Sequence, residues 1–247
     1  PALLEAEAVG RLLKIAGVAD VPVVIVHLTC EASLREVEAA RARGQTVYVE
    51  TCPHYLLLDD HLYDLPDFEG AKYVCAPPLR KSRDNDVLWR ALADREIQTV
   101  STDHCSFTLT QKAFGREDFT KIPGGLPGVE TRGELIYSYG VAAKKLSLAQ
   151  MCRVLSENPA KLYGLYPRKG VLAPGSDADI VIYDPGDSHV IRAEDCVANV
   201  DYNPYEGFVT AGGIREVWLR GRRTVENGKV LDTVPAGMYL ARGKCDL

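Results

Sequence analysis

Through the first 101 residues, short apolar β-branched runs alternate with stretches of helical periodicity, and few folds accommodate that order. Residues 3–16 place Leu3, Ala6, Val9, Leu13 and Ala16 along one helical face. Residues 21–26 form a continuous apolar run, the pattern of a strand buried on both faces of a parallel sheet. Residues 31–43 turn helical again, with Leu34, Val37 and Ala40 on one face and Gly44 as the stop. A second strand is expected over 46–49, a short apolar piece over 72–75, a helix over 86–93 and a third strand over 97–101. Such spacing argues βαβ units around a parallel sheet. No Gly-x-Gly-x-x-Gly or Walker pattern opens a helix, which disfavours a dinucleotide or P-loop site.

A loop rich in Gly and Pro is expected over 106–127, and loops of that length are often functional. Helical patterns resume over 130–143 and 148–155, and Asn158-Pro159 is expected to interrupt and restart a helix that ends near Gly164. The character changes after Pro167. Short strands are expected over 180–183, 214–220 and 221–225, the last leading into the hairpin signal Asn227-Gly228. The expected division is therefore a barrel-type α/β region over 1–167 and a small β-domain with a tail over 168–247.

Several classes are disfavoured by composition. Net charge is −5 with no basic stripe, so nothing favours nucleic acid as a partner. No apolar run approaches the ~18 residues of a membrane span. Seven cysteines, an odd number without a Cys-x-x-Cys pair, suggest free thiols of a reducing cytoplasm rather than a disulfide framework. The chain has no initiator Met and opens directly on a helical pattern, so a fragment of a longer protein is expected.

Five histidines are present. His27 closes the first strand and Asp103-His104 closes the third. An imidazole and a carboxylate on one rim suit zinc, but a catalytic zinc needs about three protein ligands and a water. No His-x-His and no second ligand cluster are present, so the donors here are too few. Cys30, Cys52, Cys75 and Cys105 near the strand ends read as small buried residues rather than a metal cluster.

The strings His27-Leu-Thr-Cys, Glu50-Thr-Cys-Pro-His-Tyr-Leu, Ala76-Pro-Pro-Leu-Arg and Thr102-Asp-His-Cys-Ser-Phe occur in that order. Asp118-Phe-Thr-Lys-Ile-Pro, Asn158-Pro-Ala-Lys-Leu-Tyr-Gly-Leu-Tyr-Pro-Arg-Lys-Gly and Gly175-Ser-Asp-Ala-Asp-Ile-Val follow. Together they resemble the dihydropyrimidinase/D-hydantoinase family of cyclic amidohydrolases over essentially the whole chain. The resemblance implies the C-terminal part of a (β/α)8 barrel, about strands 6–8, with part of a β-sandwich domain. It implies two zinc ions bridged by a carboxylated lysine that lies upstream of Pro1. His27 would be a metal ligand from the sixth strand. Asp103 would be both a metal ligand and the catalytic acid–base from the eighth. Ala76, where the family often has Ser, and Gly124, where it usually has Asn, would grip a cyclic ureide through their backbones. His54 and His104 match no ligand and are expected to be structural or to support the ligands. The implied reaction opens dihydropyrimidines or hydantoins to N-carbamoyl amino acids in a homotetramer, with this chain inactive alone. Residues 199–213 and the tail after Leu231 are candidate interface elements. The alternatives are a non-catalytic scaffold relative and a sibling enzyme such as allantoinase or dihydroorotase.

Overall fold

The computed structural model describes residues 1–232 and 237–247; residues 233–236, within the tail named above, lie outside the described residues. Contacts divide the chain into two compact units. One comprises Pro1–Arg132 with Ile191–Gly207, and the other Gly133–Val190 with Phe208–Leu247. Residues 167 and 168 both fall in the second unit.

The first unit is built on three parallel strands. Helix α1 (Ala2–Ala19) buries Ala6, Val9, Leu13 and Ala16 of the expected stripe, leaves Leu3 in its first turn 75% exposed, and ends at Asp20 in the left-handed region. It packs against α2 (Glu31–Ala42), which buries Leu34, Val37 and Ala40. Strands β1 (Val23–Ile25), β2 (Val47–Thr51) and β3 (Thr99–Val100) lie side by side in that order. Their register runs Val23↔Val47 to Ile25↔Val49, then Glu50↔Thr99 and Thr51↔Val100. The links between these strands carry α2, then α3 (Pro53–Leu57) and α4 (Ser82–Ala93). Parallel pairing demands such crossovers. The indole N–H of Trp89, on the buried face of α4, donates to the Leu56 carbonyl at 3.0 Å. Asn85 donates to the carbonyls of Tyr55 and Leu58, so α4 satisfies the exposed carboxyl end of α3.

The first strand departs from its expected burial. It covers three residues rather than six, and Val21 and Val26 are 51% and 43% exposed. Among the described residues β1 pairs only with β2, so its other edge is open. An apolar groove of about 530 Å³ runs beside it, lined by Leu4, Val9, Leu12, Val24, Val26 and His27. The run is apolar enough for a strand covered on both sides, but only one side is covered by these residues.

In the second unit, α6 (Arg132–Ile136), whose first residue belongs to the other unit, continues as a π turn over Tyr137–Ala142. Helix α7 (Leu148–Cys152) starts on a capping box of Ser147 and Gln150. It runs through a second π turn, Arg153–Glu157, into α8 (Asn158–Leu162). The expected break at Asn158-Pro159 is thus a widened turn and not a gap. Pro159 lacks an N–H to donate back into the helix, and a π turn tolerates that loss. Strands β4 (Ile180–Asp184), β5 (Gly213–Leu219), β6 (Arg222–Glu226) and β7 (Lys229–Val230) form an antiparallel sheet in chain order. Asn227 and Gly228 are both left-handed, as a two-residue hairpin of that composition requires. The short helix α5 (Leu109–Lys112), in the first unit, interrupts the segment expected to be a loop over 106–127.

Candidate functional site

His27 lies two residues beyond β1 and Asp103 three beyond β3. Both strands run parallel to β2 and flank it, so the two residues leave the same end of the sheet, the carboxyl end. Neighbouring strands are about 4.8 Å apart, which separates β1 from β3 by roughly 10 Å. The environment of β2's end registers both residues. His27 adds to the downward pressure on His54, and the Asp103 carboxylate adds to the upward pressure on the Cys52 thiol, each after the larger effect of burial.

Both residues also have left-handed backbones, with φ of 42° at His27 and 44° at Asp103. That region is strained for a residue with a side chain and persists where the surroundings impose it. At His27 the imposition is visible. The next N–H, of Leu28, donates to Glu50 at 2.8 Å, and the Leu28 carbonyl accepts from Thr51 Oγ1 at 2.9 Å. Glu5 of α1 accepts from the Thr29 N–H at 3.0 Å and from its hydroxyl. Arg80 donates to both Thr29 Oγ1 and Glu5 Oε2 at 2.9 Å. The Glu5 and Arg80 side chains are only 11% and 10% exposed, so this is a largely buried ion pair that shares Thr29 between its two members. Arg80 ends the motif Ala76-Pro-Pro-Leu-Arg; neither it nor Glu5 was singled out from the sequence, where residues 75 apart carry no sign of pairing.

Around Asp103 the chain is tied on both sides. Before it, the Ser101 N–H donates to Thr51 at 2.9 Å and Ser101 Oγ approaches Cys52 Sγ at 3.4 Å. After it, His104 bridges to Leu126, and His104 Nδ1 accepts the N–H groups of Gly128 and Val129 at 3.1 and 3.2 Å. His104 therefore orders the following loop, and its Nδ1 is unavailable to a cation.

His54, in the first turn of α3, is 3% exposed and packs edge-on against Tyr55 with ring centroids 4.0 Å apart. Among the described residues its Nε2 has no hydrogen-bond partner. Burial, aided by His27, pushes its pKa down to about 3. The sign of the linkage follows. As pH falls below about 6.5 the unfolded chain takes a proton that the folded chain refuses until about 3, so stability drops through that window. The loss is expected to reach about 2 kcal/mol by pH 5. A His54→Asn variant should lose correspondingly less, as read by urea unfolding at pH 7.5 and 5. Equal acid losses in the two proteins would mean that the ring is not held neutral.

Ala76 and Gly124, 48 positions apart, come together. A Cβ built on Gly124 would stand 3.6 Å from the Ala76 Cβ and 3.7 Å from its nitrogen. The Gly125 N–H donates to Val74 at 3.0 Å, which zips the two segments. Gly125 has φ 159°, and a Cβ there would lie 2.4 Å from the Cys105 carbonyl oxygen, so only glycine fits. The sequence also gave no reason to mark Lys112. Its ammonium donates to three carbonyls in these same segments.

The remaining candidates do not gather. Cys30, Cys52 and Cys75 are buried and Cys105 is exposed. Burial raises the first three thiols, Cys75 to about 11, which keeps them protonated and poor ligands. Among the described residues, one set of three His, Cys, Asp or Glu side chains brings its donor atoms within 4.8 Å of one another. It is Asp59, Asp60 and His61, where Asp59 caps a 3-10 turn. His189 meets Glu134 at 3.5 Å and Thr210 at 3.1 Å within the second unit.

Parallel strands joined by helices, with polar residues in strained backbone past their carboxyl ends, place the chain among α/β proteins whose site lies at that rim. The profile of the amidohydrolase family matches residues 12–225, and the chain belongs to that family. It is 44% identical over 245 residues to a D-hydantoinase of Ralstonia pickettii, covering 99% of this chain and 53% of that protein. It is 43% identical over 244 residues to a D-phenylhydantoinase of Escherichia coli O1:K1, covering 98% of this chain and 52% of the relative. The crystal structure of dihydropyrimidinase from Brevibacillus agri NCHU1002 superposes with a TM-score of 0.92 at 46% identity, over 94% of this chain and 50% of that one. An L-hydantoinase (dihydropyrimidinase) from Arthrobacter aurescens is similar at 31% identity and a TM-score of 0.86, over 94% and 51%. The chain thus spans about half the length of the relatives it matches, and the resemblance read from its motifs is borne out. No helix among the described residues is long and apolar enough to cross a membrane.

Proposed function

We propose that this chain supplies part of the active site of a metal-dependent hydrolase that opens dihydropyrimidine or hydantoin rings to N-carbamoyl amino acids. The observation that carries this is the convergence of His27 and Asp103, both in left-handed backbone, at one end of a single parallel sheet. The donor chemistry fits zinc, which accepts imidazole nitrogen and carboxylate oxygen. Two donors are fewer than a site needs. The remaining ligands, including a carboxylated lysine bridging two zinc ions, would come from residues outside these 247. The chain would then correspond to about strands 6–8 of a (β/α)8 barrel with part of its β-sandwich, in a cytoplasmic homotetramer. The open edge of β1 and the groove beside it support a missing neighbour.

When bound, the metals would polarise the ring carbonyl and lower the pKa of attacking water to about 7. Asp103 would take the proton from that water and deliver it to the ring nitrogen as the C–N bond breaks. The backbones of Ala76 and Gly124 would hold the ureide; their adjacency supports that pairing. The presence of both His27 and Asp103 favours the hydrolase over a non-catalytic scaffold. The test is ring opening of dihydrouracil and hydantoin by the full-length parent, before and after chelation. Turnover should vanish on metal removal and return with zinc. A parent that binds zinc yet opens neither ring would sink the proposal.

A further inference from the structure

Lys112 is unusual among the described residues. Its side chain is 1% exposed, and all three ammonium hydrogens are used. They go to the carbonyls of Val74 at 2.7 Å, Pro123 at 2.7 Å and Gly125 at 2.9 Å. The Phe107 ring lies 5.6 Å away. Among the described residues the amine's partners are carbonyls and no carboxylate, and a buried charge without a counter-ion is costly unless hydrogen bonds replace its water. An apolar side chain could fill the same volume at less cost. What the charge does hold in place is three backbone carbonyls. Burial pushes the amine down to about 8, which leaves it protonated at neutral pH.

What it orients is specific. Val74 lies two residues before Ala76, and Pro123 and Gly125 bracket Gly124. The hub thus ties together the two segments that carry Ala76 and Gly124, where a Cβ built on Gly124 would stand 3.7 Å from the Ala76 nitrogen. Lys112 is held in turn by α5, whose first turn is fixed by the reciprocal capping box of Thr108 and Gln111. Resting on the function proposed above, we propose that Lys112 is a positioning residue for substrate: its ammonium sets the spacing of the Ala76 and Gly124 backbones that grip the cyclic ureide.

The experiment compares Lys112→Met, Lys112→Gln and Lys112→Arg in the zinc-loaded full-length parent with dihydrouracil as substrate. A lost ground-state grip raises KM and leaves kcat nearly alone, so KM should rise about fivefold or more in Met and Gln while kcat stays within about twofold. Zinc content should be unchanged. Lys112→Arg, which keeps charge and donors, should recover part of the KM. Whichever neutral variant folds decides the question. Wild-type KM in a folded neutral variant, or a fall in kcat at constant KM, overturns the proposal while leaving the hydrolase intact. A wild-type parent with no ring-opening activity fails at the earlier step and takes this inference with it.

Discussion

Replacing Asp103 by alanine in the full-length parent is expected to lower the hydrolysis of dihydrouracil or hydantoin by about a thousandfold or more. General acid–base groups contribute roughly 10²–10⁴-fold, and Asp103 is proposed to bind a metal besides. The residue is exposed on the rim, so its removal opens no core cavity. Its backbone is left-handed, and alanine fits that conformation less easily than aspartate, so Asp103→Asn is the companion variant. Asn keeps the shape and the tolerance of left-handed φ but accepts no proton. Comparable losses in both variants locate the effect in the carboxylate. Activity within about threefold of wild type in either one would remove Asp103 from the chemistry.

The isolated 247-residue chain, supplied with zinc, is expected to show no measurable ring opening. His27 and Asp103 are two donors where a catalytic zinc takes about three from the protein. The open edge of β1 and the exposure of Leu3, Leu4, Leu12, Ile15 and Val18 on α1 should also show as dye-binding apolar surface and as self-association. Combining the chain with the remainder of the parent should suppress both. Turnover by the chain alone at the parent's rate would mean that the ligand set is complete within it.

Much of the fold was legible in the chain because its signals are local. The stripe on α1 apart from Leu3, the β-branched runs and the Asn227-Gly228 hairpin depend on near neighbours and came out as expected. Strand lengths did not, since the run over 21–26 reports how apolar a segment is and not how many sides of it are covered. Pro159 was read as a break because its lost hydrogen bond is a local fact, while the π turn that absorbs the loss is a property of the whole helix.

The candidate site divides the same way. His27 and Asp103 could be chosen from the sequence alone, because a polar residue immediately after an apolar strand is visible in one dimension, and the order of the flanking motifs assigned the family. That the two share a rim, that Ala76 meets Gly124, that Glu5 and Arg80 hold Thr29 two residues past His27 and that Lys112 gathers three carbonyls were decided by tertiary structure. Those partners lie 11 to 76 residues apart, and no periodicity records a contact that only packing creates.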